Sequence, residues 1–160
     1  MDRRHFIAGA VGALIAAPAR AAPRLDIPAE LGSSAQFLPL VDALATADLL
    51  GNLAARGPFT VFAPTLEAFD RVGYGTLRAL EQPARRAELR RLLAFHVVKG
   101  EVSALRLMGR TTRLETLIGR PLVVDGRGPG LRIGNARVGL AEITATNGLI
   151  HQIDRVLMPA

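Results

Sequence analysis

Beyond Gly109 the chain is cut by glycines into short apolar runs, and this punctuation restricts its second half to a sheet of closely connected strands. The runs are 114–118, 122–124, 131–133, 138–143 and 149–157, divided by Gly119, Gly126, Gly128, Gly130, Gly134 and Gly139. All are shorter than the roughly ten to twelve residues of a buried helix, so the spacing predicts a β-meander. Its sharpest signal is Asn147-Gly148, set between Ile143-Thr144-Ala145-Thr146 and Leu149-Ile150-His151. Both residues tolerate positive φ, which predicts a two-residue hairpin centred on them that fixes the register of the last strand pair.

The first half has a different period. Phe37, Leu38, Val41, Leu44 and Leu49 fall near helical spacing, and Leu50 and Leu53 continue to Gly57-Pro58, predicting two short helices. Phe59-Thr60-Val61-Phe62-Ala63 is rich in β-formers and stops at Pro64, as a short buried strand would. Thr65 stands where a helix N-cap is needed, with Glu67 in the first turn and Phe69 and Val72 facing inward. Thr76 offers a second cap for residues 77–81, and Pro83 suits the first turn of another helix. That helix turns Leu89, Leu92 and Leu93 inward and presents Arg85, Arg86, Arg90 and Arg91 as a solvated face. Residues 95–98 read as a strand closed by Lys99-Gly100, and Ser103 as the cap of a short helix through Met108. Helices first and strands later make an α+β domain.

Three segments together resemble the fasciclin domain family. Gly57-Pro58-Phe59-Thr60-Val61-Phe62-Ala63-Pro64-Thr65-Leu66-Glu67-Ala68-Phe69 is similar to its first signature block, and Leu92-Leu93-Ala94-Phe95-His96-Val97-Val98-Lys99-Gly100 to its central one. The segment from Asn147-Gly148-Leu149-Ile150-His151 to Pro159 resembles the closing block. The resemblance covers about residues 35–159 and implies a wedge of strands, with N-terminal helices packed along a sheet formed largely by the C-terminal strands. Thr60, Phe62, Pro64, Thr65, Phe69, His96, Asn147, Gly148, His151 and Pro159 are the structural residues it marks. It also implies Phe95 and His96 as candidate interaction residues, since the central block lies near a receptor-contact region in animal relatives. Phe95 replaces the family's Tyr and lacks its hydroxyl, so the other reading of His96 is a core imidazole bonded to backbone.

The N-terminus carries an address. Arg3-Arg4 precede Phe6, an apolar stretch runs over residues 6–17, and Ala19-Arg20-Ala21 is a small-residue cleavage site. At about a dozen residues the stretch is shorter than the roughly 17–25 that span a bilayer. Gly9, Gly12 and several alanines keep it only weakly apolar, and Arg20 sits beside the cleavage site, which favours the twin-arginine route. Residues 1–21 are thus expected to leave as a signal peptide, with 22–34 a flexible, Pro-punctuated tether and 35–160 the domain. No stable membrane insertion is expected after cleavage.

Composition narrows the function. Aromatics are 4% of a chain that is 49% hydrophobic, so the core is aliphatic and a base-stacking platform is not expected. Processing removes Arg3, Arg4, Arg20 and Asp2 and takes the formal charge from +6 to +4, a mild excess. The pI of 11.3 reflects arginine in place of lysine, and the arginines are spread along the chain, so nucleic acid is not an expected partner. Without cysteine there are no disulfides or thiolate sites, and His96 and His151 alone make a poor zinc set.

Thr65, His96 and Asp154 can be imagined as nucleophile, base and orienter, but Thr65 is better used as a cap and no Gly-x-Ser-x-Gly elbow occurs. Gly126-Arg127-Gly128-Pro129-Gly130 lies between strands, a hairpin loop and no phosphate cradle. The expectation is therefore a periplasmic or extracellular, non-catalytic interaction module without cofactor. Its partner is an envelope or extracellular protein, an anionic polysaccharide or a second copy. The alternative is a periplasmic binding protein for a small molecule or cofactor, folded before export.

Overall fold

The computed structural model describes residues 24–159, so the signal peptide expectation on Arg3, Arg4, Phe6, Ala19 and Ala21 lies outside the described residues. The helices are α1 (Ile27–Gly32), α2 (Leu38–Thr46), α3 (Leu50–Ala54), α4 (Leu66–Val72), α5 (Tyr74–Glu81), α6 (Arg86–Ala94) and α7 (Ala104–Leu107). The strands are β1 (Phe59–Pro64), β2 (Val97–Lys99), β3 (Thr111–Glu115), β4 (Pro121–Asp125), β5 (Leu131–Ile133), β6 (Ala136–Ala145) and β7 (Gly148–Ile153). They form one seven-stranded sheet in the order β2-β1-β7-β6-β5-β4-β3. The predicted meander is the run β3 to β7, antiparallel throughout, and its last strand closes parallel onto β1 from Phe59↔Gly148 to Pro64↔Ile153.

β1 is covered on both faces, which is why it reads as a continuous apolar run. Val61 and Ala63, with Ile150 of β7, face α1 to α6 and meet Leu31, Leu44, Phe69, Leu89 and Leu93 in one core. Phe62 and Ile153 point to the other side, where Val98, Leu107, Leu122, Val124, Leu131 and Val138 form a second core beneath the curled meander. Along β4 and β5 the alternation is strict: Leu122, Val124, Leu131 and Ile133 are buried while Val123 and Arg132 are exposed.

Several local expectations are corrected. Over its described residues the segment expected as a tether, 22–34, is folded, because α1 seals the helical core with Ile27 and Leu31, both fully buried. Asp26 caps it, accepting from the Ala29 N–H at 3.0 Å, and Pro28 occupies its first turn. Thr76 does not cap a helix. α5 starts at Tyr74, because Gly73 at φ 92° ends α4 and opens α5 in one residue. Pro83 opens a 3-10 turn (Pro83–Arg85) that precedes α6. The strand expected at 95–98 begins at Val97, since the Phe95 and His96 N–H groups still bond back to Arg91 and Leu93. Arg90 leaves the solvated face to donate to the Ala47 and Asp48 carbonyls beyond the end of α2, at 3.0 and 2.8 Å.

The hairpin turn lies one residue earlier than predicted. Ala145 pairs with Gly148, so the two loop residues are Thr146 and Asn147, and neither has positive φ. Gly148 is needed instead for the parallel pair, because a Cβ there would collide with the Phe59 carbonyl oxygen.

Candidate interaction surfaces

The residues singled out by sequence go mainly into the frame. Thr65 caps α4, its hydroxyl accepting from the Ala68 N–H, while its own N–H donates to the Ile153 carbonyl at 3.2 Å. Thr60 binds the loop after β2 through Gly100 O at 2.7 Å and the Val102 N–H at 2.9 Å. Asn147 joins four segments: its amide donates to the Leu53 and Ala55 carbonyls, its side-chain oxygen accepts from Ile27 N–H, and its carbonyl accepts from Phe59 N–H.

His96 is 1% exposed and Phe95 9%, so the two candidate interaction residues present almost no surface, and His96 is the core imidazole of the other reading. The Leu157 N–H donates to His96 Nε2 at 2.9 Å, which requires Nδ1 to carry the proton that it gives to the Leu92 carbonyl at 2.8 Å. Burial lowers the His96 pKa to about 4 against the opposing Leu92 bond, so the ring is a neutral clamp between α6 and the C-terminal segment. His151, equally buried, stacks on Phe62 with centroids 5.4 Å apart and bonds through Nε2 to the Val102 carbonyl at 2.7 Å.

The imagined grouping of Thr65, His96 and Asp154 does not act together. Each is committed elsewhere, Asp154 to the Arg137 N–H at 2.7 Å and to Arg71 at 3.6 Å. Among the described residues no three of His, Cys, Asp and Glu are placed to hold a metal ion. The glycine-rich segment 126–130 joins β4 to β5 as a hairpin loop, with Arg127 folded onto Asp125 at 3.1 Å.

What remains for a partner lies on two surfaces that no motif marks. The first is the outer face of the meander, where Arg113, Arg132 and Arg137 are exposed. Arg132 and Arg137 are directly opposite across β5 and β6, a pairing of like charges that is intrinsically unfavourable. Among the described residues none of the three has a carboxylate within salt-bridge distance: Asp125, the neighbour of Arg132 across β4, holds Arg127, and Glu115 holds Lys99. The second is a groove of ≈ 560 Å³ between α5, α6 and the C-terminal segment, floored by Leu80 and Leu92.

Residues 35–159 match the family model described as the Fasciclin domain. The chain belongs to the fasciclin family. Protein sll1483 of Synechocystis sp. is 37% identical to this fasciclin domain over 77% of the chain and 67% of the relative. The cell surface glycolipoprotein MPB83 of Mycobacterium bovis is 36% identical over 64% of the chain, which spans 44% of that relative's length. Among solved structures, a FAS1 domain pair from the insect cell adhesion molecule Fasciclin I superposes with a TM-score of 0.75 at 16% identity. It covers 84% of this chain and 51% of its own. The fold is therefore the α+β fasciclin wedge expected from the three blocks. The fold gathers on one face arginines that are spread along the sequence. The signal was present in the alternation of 111–115 and 131–138, which turns Arg113, Arg132 and Arg137 the same way.

Proposed function

We propose that this fasciclin domain is an exported, non-catalytic interaction module that holds an anionic polysaccharide of the envelope or extracellular matrix. The observation that carries the reading is the arginine face of the meander, where Arg132 and Arg137 are opposed and, among the described residues, neither guanidinium has a carboxylate within salt-bridge distance, Asp125 across from Arg132 being taken by Arg127. A carboxylate-bearing polymer laid across β3 to β6 relieves that repulsion, and the guanidinium forks suit carboxylates. The mild positive charge of the processed chain acts in the same direction, and its effect is screened by salt. A non-catalytic role is supported by the commitment of both nitrogens of His96 and of the Thr65 hydroxyl to the frame.

Export is supported by the twin-arginine pattern of residues 1–21. The cell-surface and adhesion roles named for the two relatives above point the same way. Fusing residues 1–22 to a reporter tests the route: export that continues unchanged in cells lacking the twin-arginine translocase rules it out. Binding is tested by sedimentation of the protein with polygalacturonate, using dextran as the uncharged control, at low and physiological ionic strength. We expect salt-sensitive retention on polygalacturonate alone. The combined Arg113→Gln, Arg132→Gln, Arg137→Gln variant should weaken it about tenfold, the sum of three exposed charge contacts. Equal retention on dextran, or an unaffected triple variant, overturns the proposal and leaves an envelope protein or a second copy as the partner to seek.

A further inference from the structure

The groove between α5, α6 and the C-terminal segment differs from the meander face in kind. Its floor is the edge of the helical core, Leu80 and Leu92, and Met158 and Pro159 form a wall on which Met158 stays 55% exposed. An exposed thioether beside an apolar floor is an adaptable lining for a flexible chain. The volume of ≈ 560 Å³ falls in the range of roughly 300–1,000 Å³ usual for small-molecule sites.

The rim is cationic. Arg85 is already forked onto Glu88 at 2.7 and 2.8 Å, and that pair is electrically closed. Arg91 and Arg120 also line the groove, and neither has a carboxylate within salt-bridge distance among the described residues. Arg120 is held in place from below: its carbonyl accepts from the Thr116 hydroxyl at 2.6 Å and the Thr116 N–H at 3.4 Å. Arg91 stands on α6, whose Leu89, Leu92 and Leu93 anchor it in the core. The backbone of both arginines is thus firmly anchored beside an apolar trough, with their side chains exposed at its rim.

We propose that this groove binds a single-chain anionic amphiphile, its acyl chain lying along Leu80, Leu92, Met158 and Pro159 and its carboxylate or phosphate head held by Arg91 and Arg120. Both halves of the ligand are required by the lining. A purely apolar molecule makes no use of the two exposed arginines, and a small anion leaves the trough empty.

Isothermal titration of the purified protein with dodecanoate, dodecyl phosphate, dodecanol and dodecyltrimethylammonium, each below its micelle concentration, tests the assignment. We expect one-to-one binding of the two anions, dodecanol at least tenfold weaker, and no saturable binding of the cation. Affinity should rise about three- to fourfold for each methylene added to a shorter carboxylate until the trough is full. The stronger of the two anions tells a fatty-acid head from a phosphomonoester. Arg91→Gln and Arg120→Gln should each weaken the anions about tenfold, with circular dichroism unchanged because both side chains are exposed. The triple meander variant should leave amphiphile binding intact, so failure here and failure of the polysaccharide reading are separable. Equal binding of anion and cation, several ligands per protein, or indifference to both arginine substitutions overturns the proposal. Tight binding of an amphipathic peptide with no response to dodecanoate overturns it too, and makes the groove a protein-docking surface.

Discussion

The β1–β7 pair and the outer face of β3 to β6 belong to one sheet and treat their polar groups in opposite ways. Around β1 and β7, Thr60, Thr65, His96 and Asn147 are each bonded to backbone from a distant segment or cap a helix, and none is left over for a partner. On the meander, Arg113, Arg132 and Arg137 project into solvent with no salt-bridge partner among the described residues. The residues by which the family is recognised are consumed in holding the wedge together. Those left for binding carry no motif, so recognising the family locates the frame and leaves the contact surface to be found by geometry.

The comparison breaks first at Gly148. Gly148→Ala places a Cβ against the Phe59 carbonyl at the start of the parallel pair, and backbone cannot yield there without parting β1 from β7. A loss above about 4 kcal/mol is expected in urea unfolding, enough to leave little folded protein. The control is Gly128→Ala in the β4–β5 loop, where a Cβ meets nothing within 4 Å. It should stay within about 0.5 kcal/mol of the parent. Similar losses at the two sites would mean that the central pair is no more demanding than the meander.

The next largest effect is a pH dependence confined to the frame. His96 titrates at about 4 in the folded protein and near the ordinary 6.5 once unfolded, so between these values the unfolded chain binds more protons. Stability from this group is complete above about pH 6.5 and is lost as pH falls towards 4, on the order of 3 kcal/mol in total. Carboxylates titrate across part of the same window, so the informative quantity is the difference between the parent and His96→Gln. The variant should be less stable at neutral pH and flatter between pH 4 and 6.5. Identical slopes would show that the clamp on Leu157 is open in solution.

Thr65→Ala should cost about 1 kcal/mol, the usual worth of a threonine N-cap, measured by thermal or urea unfolding. A change of a few tenths would place the anchoring of α4 in Phe69 and Ala68 alone, both buried in the helical core.

Much of this frame was legible. Pro64 and Thr65 mark the exit from β1 and the start of α4, and Ser103 caps α7, because caps and strand stops are local chemistry. The failures were of two sorts. α1 carries its own signals, Asp26 as cap, Pro28 in the first turn, and Ile27 and Leu31 four apart, but a proline marks a helix start and a loop equally well. Other features were not local at all. Asn147-Gly148 looked like a positive-φ turn, yet Asn147 is used to collect Ile27, Leu53 and Ala55, and Gly148 to admit Phe59. The groove is assembled from α5, α6, the β3–β4 turn and the C-terminal segment, which no single stretch of sequence announces.

The smallest predicted effect is the most direct probe of the meander face. If Arg132 and Arg137 repel each other across β5 and β6, then Arg132→Gln should stabilise the domain by a few tenths of a kcal/mol at low ionic strength. The gain should shrink as salt is raised, because both side chains are exposed and screening falls on them fully. Adding Arg137→Gln to it should bring little more, since the repulsion is removed once either partner is neutral. Denaturant titration of the two single variants and the double gives the coupling directly. A loss on Arg132→Gln in place of a gain would mean that the arginine's attraction to its other cross-strand neighbour, Asp125, or its packing on β4 outweighs the repulsion, and the case for an anion-seeking face would lose its physical basis. A small stabilisation accompanied by weaker polygalacturonate binding is the opposite outcome: folding energy forgone at a surface held in reserve for a partner.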